Sequence, residues 1–396
     1  MRRRIVITAI IVFAAWFGVY LLNLSHLGPV VLVKRHLILG SDTTDIANAM
    51  RTLTFADDMR KHLLFSAFTV PLVNFFESVF SFGEDQSILV VLALISAANV
   101  TAAFFVLYRF LSSVRLAILF ASLYAFMFAN LVFNSIPETY PLANSIALLY
   151  VLLLLEYKTK PSLFLGILMA ALAGIAALFN PPLLSLVVLQ TLVVFNQMRR
   201  QQTADKRMVL FALLNVVIAG LVYSLPNIIV HGESFLRFSS GYFEKYASMS
   251  HFVRAGDVAT AVVGFLLYSA ISPIDHLVFE LPVRLFADYF DSMAKILLLV
   301  GYVSFSAYAL IKLVRERNDT IAFILVWMAL LMGFYVYFNP REAVLYSSQI
   351  TFPIVLLHAW AFSKTPSFAR AKYVALVLFI ALLAAHNLAV LYAPIG

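Results

Sequence analysis

The chain has 396 residues, 63% of them hydrophobic and only 12% charged, with a mean hydropathy of +0.94. A water-soluble globule carries about 25% charged residues, so that class is excluded, and so is a disordered chain. The net charge of +8 would point to nucleic acid on a soluble protein, but here it reads as orientation, since Lys and Arg stay on the cytoplasmic side of a membrane. With no cysteine, a disulfide framework, a thiolate metal site and a cysteine nucleophile are excluded as well.

A spanning helix needs about 20 mostly apolar residues. In chain order, such segments are 5–23, 88–108, 114–133, 163–179, 208–230, 293–313, 320–338, 344–362 and 373–392, with two shorter ones at 142–155 and 183–196. The first follows Met-Arg-Arg-Arg without a small-residue cleavage site and reads as an anchor. Two further apolar stretches, 63–80 and 258–272, are decided by charge. If 63–80 lies along the outer interface, every basic cluster falls inside, from Arg2–Arg4 through Arg109/Arg115, Lys158/Lys160 and Arg199/Arg200 to Lys312/Arg315/Arg317 and Lys364/Arg370/Lys372. By the same reasoning 258–272 is an interfacial or re-entrant element. The predicted fold is an all-α, polytopic transmembrane bundle of about 11 spans. It forms one domain with the N-terminus inside and two long outer loops, 24–87 and 231–292. Long loops are seldom mere connectors, so function is expected there.

Ionisable groups within a bilayer are costly and usually functional. The spans hold almost none away from their ends apart from His358 and His386, which argues against an ion-coupled transporter; these two histidines are expected to hydrogen-bond within the bundle. The carboxylates gather outside instead, which suits general-base or metal chemistry at the membrane surface. The first outer loop reads Gly40-Ser41-Asp42-Thr43-Thr44-Asp45, with Asp42 placed to cap a helix and Asp45 three residues on, facing the same way. An ordinary acidic helix start explains these two equally well. Asp57-Asp58, followed by Arg60, Lys61 and His62, also reads as a mixed-charge patch at the headgroups. Trp16, Tyr20, Tyr335, Tyr337 and Tyr346 lie near span ends, where interfacial belts place aromatic residues.

An acidic loop after the first span, Asp42-Thr-Thr-Asp45, followed by His62-Leu63-Leu64-Phe65 opening an amphipathic stretch, resembles the C-type (GT-C) membrane glycosyltransferase superfamily, which includes protein O-mannosyltransferases and related bacterial enzymes. Leu63 departs from the proline that the family often has there. Pro137-Glu138-Thr139-Tyr140 resembles the family's second acidic position, and Asn339-Pro340-Arg341-Glu342 its late loop, where a basic residue approaches a lipid phosphate; each also reads as a plain proline turn.

The resemblance implies inverting transfer of a sugar from a polyprenyl-phosphate donor to a glycan, lipid or protein acceptor on the extracytoplasmic side of a bacterial or archaeal cell membrane. Asp42 would be the base, with Asp45 and Glu138 beside it. His62, Arg341 and Arg254 would face the donor phosphate, and Tyr140, Asp57, Asp58 and Glu342 the substrates. A divalent cation, Mg or Mn, would sit on Asp42 and Glu138. Besides the donor, the expected partners are acceptor and membrane lipids, and no nucleic acid. Two other readings stay open: an envelope-polysaccharide polymerase or ligase, for which the arginines of 231–292 would matter most, and a lipid-linked-sugar flippase or transporter.

Overall fold

A computed structural model describes residues 2–32, 39, 41–53, 62–201, 206–232, 255–278, 287–338, 342–365 and 369–394. Every one of the eleven expected spans is helical. The helices are α1 (Arg2–Val31), α2 (Thr43–Arg51), α3 (Leu63–Phe80), α4 (Glu84–Leu111), α5 (Val114–Phe126), α6 (Phe128–Phe133), α7 (Tyr140–Thr159) and α8 (Leu163–Phe179). After them come α9 (Leu186–Gln201), α10 (Lys206–His231), α11 (Ala255–Val263), α12 (Met293–Glu316), α13 (Asp319–Phe338), α14 (Ala343–Tyr346), α15 (Ser348–Ser363) and α16 (Ala369–Tyr392). Among the described residues eight helices, α3 among them, are long and apolar enough to cross a membrane; α5, α8 and α9 are shorter apolar ones. This is a helical bundle of membrane-protein composition.

Two expected spans, 114–133 and 344–362, are broken. The first bends at Met127 (ψ 135°), between α5 and α6. The amide groups exposed by the bend are taken up by another segment: Phe128 N–H donates to Ala270 O and Ala129 N–H to Ser269 O, both 3.0 Å. Those acceptors belong to a segment in which α11 runs into a π-helical turn at Gly264–Tyr268 and then into irregular chain. Phe265, Tyr268, Ala270, Ile271 and Ser272 are all buried. Non-helical backbone is tolerated at such depth only where protein satisfies it. Asn387 on α16 supplies much of that, donating to Phe126 O (2.8 Å) and Ala270 O (2.9 Å) and accepting from Ser272 N–H (3.1 Å). The described part of 258–272 is thus a short helix followed by buried irregular chain packed into the bundle. Asn387→Leu should orphan Phe126 O and Ser272 N–H at about 1–3 kcal/mol each, Ala270 O keeping Phe128 N–H, and lower the thermal midpoint of the detergent-solubilised protein; an unchanged midpoint would refute the role.

The direction of the helices follows from their contacts. Gly28 near the end of α1 packs on Leu89 near the start of α4, so the two run antiparallel. The ends of α4 and α7 meet through Arg109 and Glu156 (2.9 Å), and Lys158 on α7 bonds Thr320 at the start of α13. Arg109 and Lys158 therefore lie at one end of the bundle, while Arg51, paired with Glu84 and Asp85 at the start of α4, lies at the other. At the other end, α3 has its start beside Phe179, where α8 finishes, and its last residue only a short turn from Glu84, where α4 begins. Both of its termini sit on the same half. That geometry fits a helix lying along the bundle's end, although its length would allow a crossing.

Close packing depends on small residues where dispersion is the main attraction. A Cβ added at Gly174 on α8 would lie 2.7 Å from both Ala219 O and Val222 Cβ on α10. Gly174→Leu must push α10 away and is expected to cost at least about 1–3 kcal/mol. Retention of the wild-type thermal midpoint would show that the contact is looser than this.

Candidate functional site

The site begins with the level at which one loop sits. Ser96 Oγ on α4 donates to Asn134 O (2.8 Å), and Asn99 Nδ2 donates to Pro141 O (2.8 Å). The loop 134–141 thus lies roughly three to four helical turns below the start of α4, recessed between longer helices. Pro141 starts α7 at a position where its missing N–H costs nothing. Glu138 precedes that helix, is buried at 6% exposure, and accepts from Thr139 N–H at 2.6 Å through Oε2. A carboxylate at a helix N-terminus is well matched to the partial positive charge there.

The first loop meets this residue directly. Ser41, fully buried, donates its Oγ proton to Glu138 Oε1 at 2.9 Å. Asp42 follows at the N-cap of α2, with Asp45 in the first turn, and both are exposed. The position matches the expected cap, but the Asp42 side chain makes no capping bond. Asp42 is the chain neighbour of Ser41, so the loop that carries it is anchored at Glu138. The far end of α2 is fastened instead by Arg51, which reaches Asp85 (2.6 Å) and Glu84 (3.4 Å) at the start of α4.

A wall of aromatic rings completes the recess. Tyr140 meets Tyr346 edge-on (6.3 Å between centroids), and Tyr346 stacks flat on Tyr335 (4.1 Å, 6°). Tyr346 OH donates to Glu342, and Tyr140 lies within electrostatic reach of Glu138, Glu342, Tyr335 and Tyr346. Beyond the wall, Asn180 Nδ2 donates to Tyr335 OH (3.3 Å), and the neighbouring Phe179 carbonyl bonds His62 Nδ1. A carbonyl only accepts, so Nδ1 carries the proton in that contact.

Six of the expected site residues therefore gather on one half of the bundle: Asp42, Asp45, Glu138, Tyr140, Glu342 and, farther along the rim, His62. Arg341, Arg254, Asp57 and Asp58 lie outside the described residues. Among the described residues no three His, Asp or Glu side chains come together as a metal-ligand set. Asp42 and Glu138, joined through Ser41, suit a Mg-type cation, which is commonly held by one or two carboxylates plus substrate phosphate and water.

The belt assignment of the aromatic residues needs correction. Trp16, Tyr20, Tyr335 and Tyr346 are buried, at 7%, 0%, 1% and 9% exposure, and only Tyr337 faces out at 59%. Depth along a helix does not fix the face. Residues two apart, such as Tyr335 and Tyr337, point to opposite sides. The histidines behave as expected: His358 Nε2 shares a hydrogen bond with Ser306 Oγ (2.9 Å), and His386 Nε2 with Ser272 O (2.8 Å). Ser41, Asn180, Tyr335 and Gln349 are parts of the site that the sequence did not single out.

Comparison of the chain with protein-family models and with curated proteins finds no match.

Proposed function

We propose that the protein is an integral membrane glycosyltransferase that moves a sugar from a polyprenyl-phosphate donor to an acceptor hydroxyl on the extracytoplasmic side. The observation that carries this reading is the Ser41–Glu138 hydrogen bond. It brings the loop that carries the first acid, Asp42, against a second carboxylate that sits next to a cluster of tyrosines.

An acceptor hydroxyl is a weak nucleophile until a carboxylate takes its proton as the new bond forms. Asp42, at the mouth, is the base. As acceptor oxygen bonds to the anomeric carbon, the bond from that carbon to the donor phosphate oxygen breaks, and the lipid leaves as polyprenyl phosphate. A single displacement inverts the anomeric centre. Glu138, held by two donors, keeps its position and orients the acceptor or, with Asp42, a divalent cation. When bound, such a cation would offset charge on the leaving phosphate. His62 and Arg341 are the protein's own candidates for that task, and Arg254 a weaker one. Tyr140 and Glu342 line the space next to the reacting sugar.

Among the described residues, buried polar positions such as Asn99, Asn130, Asn144 and Thr351 are uncharged, and the buried Lys295 is tied to Asp275 (2.8 Å) and Asp291 (3.0 Å) at the start of α12, which supports transfer over ion-coupled transport. The test uses purified protein in vesicles containing polyprenyl-phosphate-linked sugars. Transfer predicts release of polyprenyl phosphate together with a new glycosidic product. Movement of the intact donor between leaflets without release would favour a flippase instead.

A further inference from the structure

At the end of the bundle that carries Arg109 and Lys158, α12, α15 and α16 meet in a corner. Tyr308 on α12 shares a hydrogen bond through its OH with Thr365 Oγ1, just past the end of α15 (2.7 Å). Lys372, in the first turn of α16, donates from Nζ to Thr365 O (2.5 Å) and Phe362 O (3.1 Å). Two of its three protons are thereby used, and one is left over. From α12, Lys312 Nζ lies 5.9 Å from the centre of the Tyr308 ring. The Tyr308–Thr365 pair thus has an ammonium group on either side.

The charge at this corner is one-sided. Lys364 adjoins Thr365, Arg370 lies in the first turn of α16, and Arg315 and Arg317 end α12; all four are exposed. The neighbouring carboxylates are spoken for: Glu316 pairs with Lys312 (2.6 Å), and Asp319 accepts from Asn196 on α9 (2.9 Å). Among the described residues no acid pairs with Arg315, Arg317, Lys364, Arg370 or Lys372, whereas Arg109 at the same end is answered by Glu156 (2.9 Å). A helix N-terminus already carries partial positive charge, yet α16 places Arg370 and Lys372 there with no acid in its first turn. Like charges held so close repel, and they call for an anion that the chain does not supply.

The apolar surroundings say which anion. Next to the cations α12 exposes Ile311 and Val314, and α16 exposes Val374 and Leu378. The two helices pack on each other, a Cβ at Gly301 lying 3.4 Å from Phe379. A free phosphate would satisfy the charge and leave these side chains bare. A phospholipid matches both, since basic pockets between membrane helices accept anionic headgroups while acyl chains cover the apolar faces. We infer that the corner around Tyr308 and Thr365 is a binding site for an anionic phospholipid, whose phosphate is met by Lys364, Arg370 and the spare proton of Lys372. The site lies at the far end of the bundle from the proposed transfer recess and requires no transfer activity.

The test is native mass spectrometry of the full-length protein in neutral detergent, titrated with phosphatidylglycerol or with phosphatidylcholine. Wild type should bind phosphatidylglycerol the more tightly, and equal affinity for the two lipids overturns the inference. Each Lys or Arg near an anionic surface contributes about fivefold, so Lys364→Gln/Arg370→Gln should weaken phosphatidylglycerol binding by about 25-fold. Arg3→Gln/Arg4→Gln removes the same charge from the exposed start of α1, at the same end, and should leave the affinity near wild type. An equal loss in both double variants would mean bulk attraction without a site. Inorganic phosphate at matched concentration should not displace the lipid; displacement would make this a free-phosphate site and sink the lipid assignment. Should the double variant not fold, Lys364→Gln alone is expected to weaken binding by about fivefold, and an unchanged affinity there counts against the site.

Discussion

Asp42→Asn is expected to abolish sugar transfer and leave the protein otherwise intact. A well-placed general base contributes about 10²–10⁴ in rate, and an amide of the same shape cannot accept the hydroxyl proton. The loss should appear in kcat, with donor affinity little changed. Stability should stay within about 0.5 kcal/mol of wild type, because Asp42 is exposed and asparagine keeps its shape. Steady-state turnover alongside thermal unfolding in detergent separates the two quantities. Full activity of Asp42→Asn would remove Asp42 from the mechanism.

Glu138→Gln should behave differently and damage both properties. Glu138 is buried and accepts hydrogen bonds from Ser41 Oγ at Oε1 and from Thr139 N–H and, at 3.4 Å, Thr139 Oγ1 at Oε2. A glutamine keeps one oxygen, for Thr139 N–H, and its NH2 can only donate, so Ser41 Oγ must turn to accept and its own proton loses the carboxylate as acceptor. A buried proton left without an acceptor costs about 1–3 kcal/mol. The thermal midpoint should fall, and transfer should drop by about 10²-fold or more, because the link that holds Asp42 at the mouth is broken or turned. Ser41→Ala isolates that link: it keeps the carboxylate but removes the bridge, and is expected to give a smaller loss of rate. Wild-type stability and activity in Glu138→Gln would show that the bridge has no role.

The bundle was legible because apolar runs long enough to span announce themselves, and basic clusters divide them without reference to any partner. Glu138 was legible for a related reason: charge alone assigned its side, and it proved to lie against the first loop. Other features escaped because they depend on pairing between distant segments. The bend at Met127 has no local proline or glycine to signal it. It exists because Ser269 and Ala270 offer carbonyls to Phe128 and Ala129. Ser41 looks like any serine before a helix, and only its contact with Glu138 gives it a role. Tyr335 was hidden by its depth in the helix, since an interfacial residue and a buried one occupy the same height and differ only in face. A count of residues around the turn from the exposed Tyr337 would have separated them.

The central claim is that the recess between Ser41–Asp42, Glu138–Tyr140 and Glu342–Tyr346 is where the sugar changes carriers. The most direct measurement is a structure of the Asp42→Asn protein, stalled with a polyprenyl-phosphate-linked sugar in a lipid environment. The account predicts the anomeric carbon in the recess, within a few ångströms of residue 42 and the Glu138 carboxylate, with the phosphate turned toward the rim that carries His62. A sugar bound at the opposite end of the bundle, near Arg109 and Lys158, would contradict it.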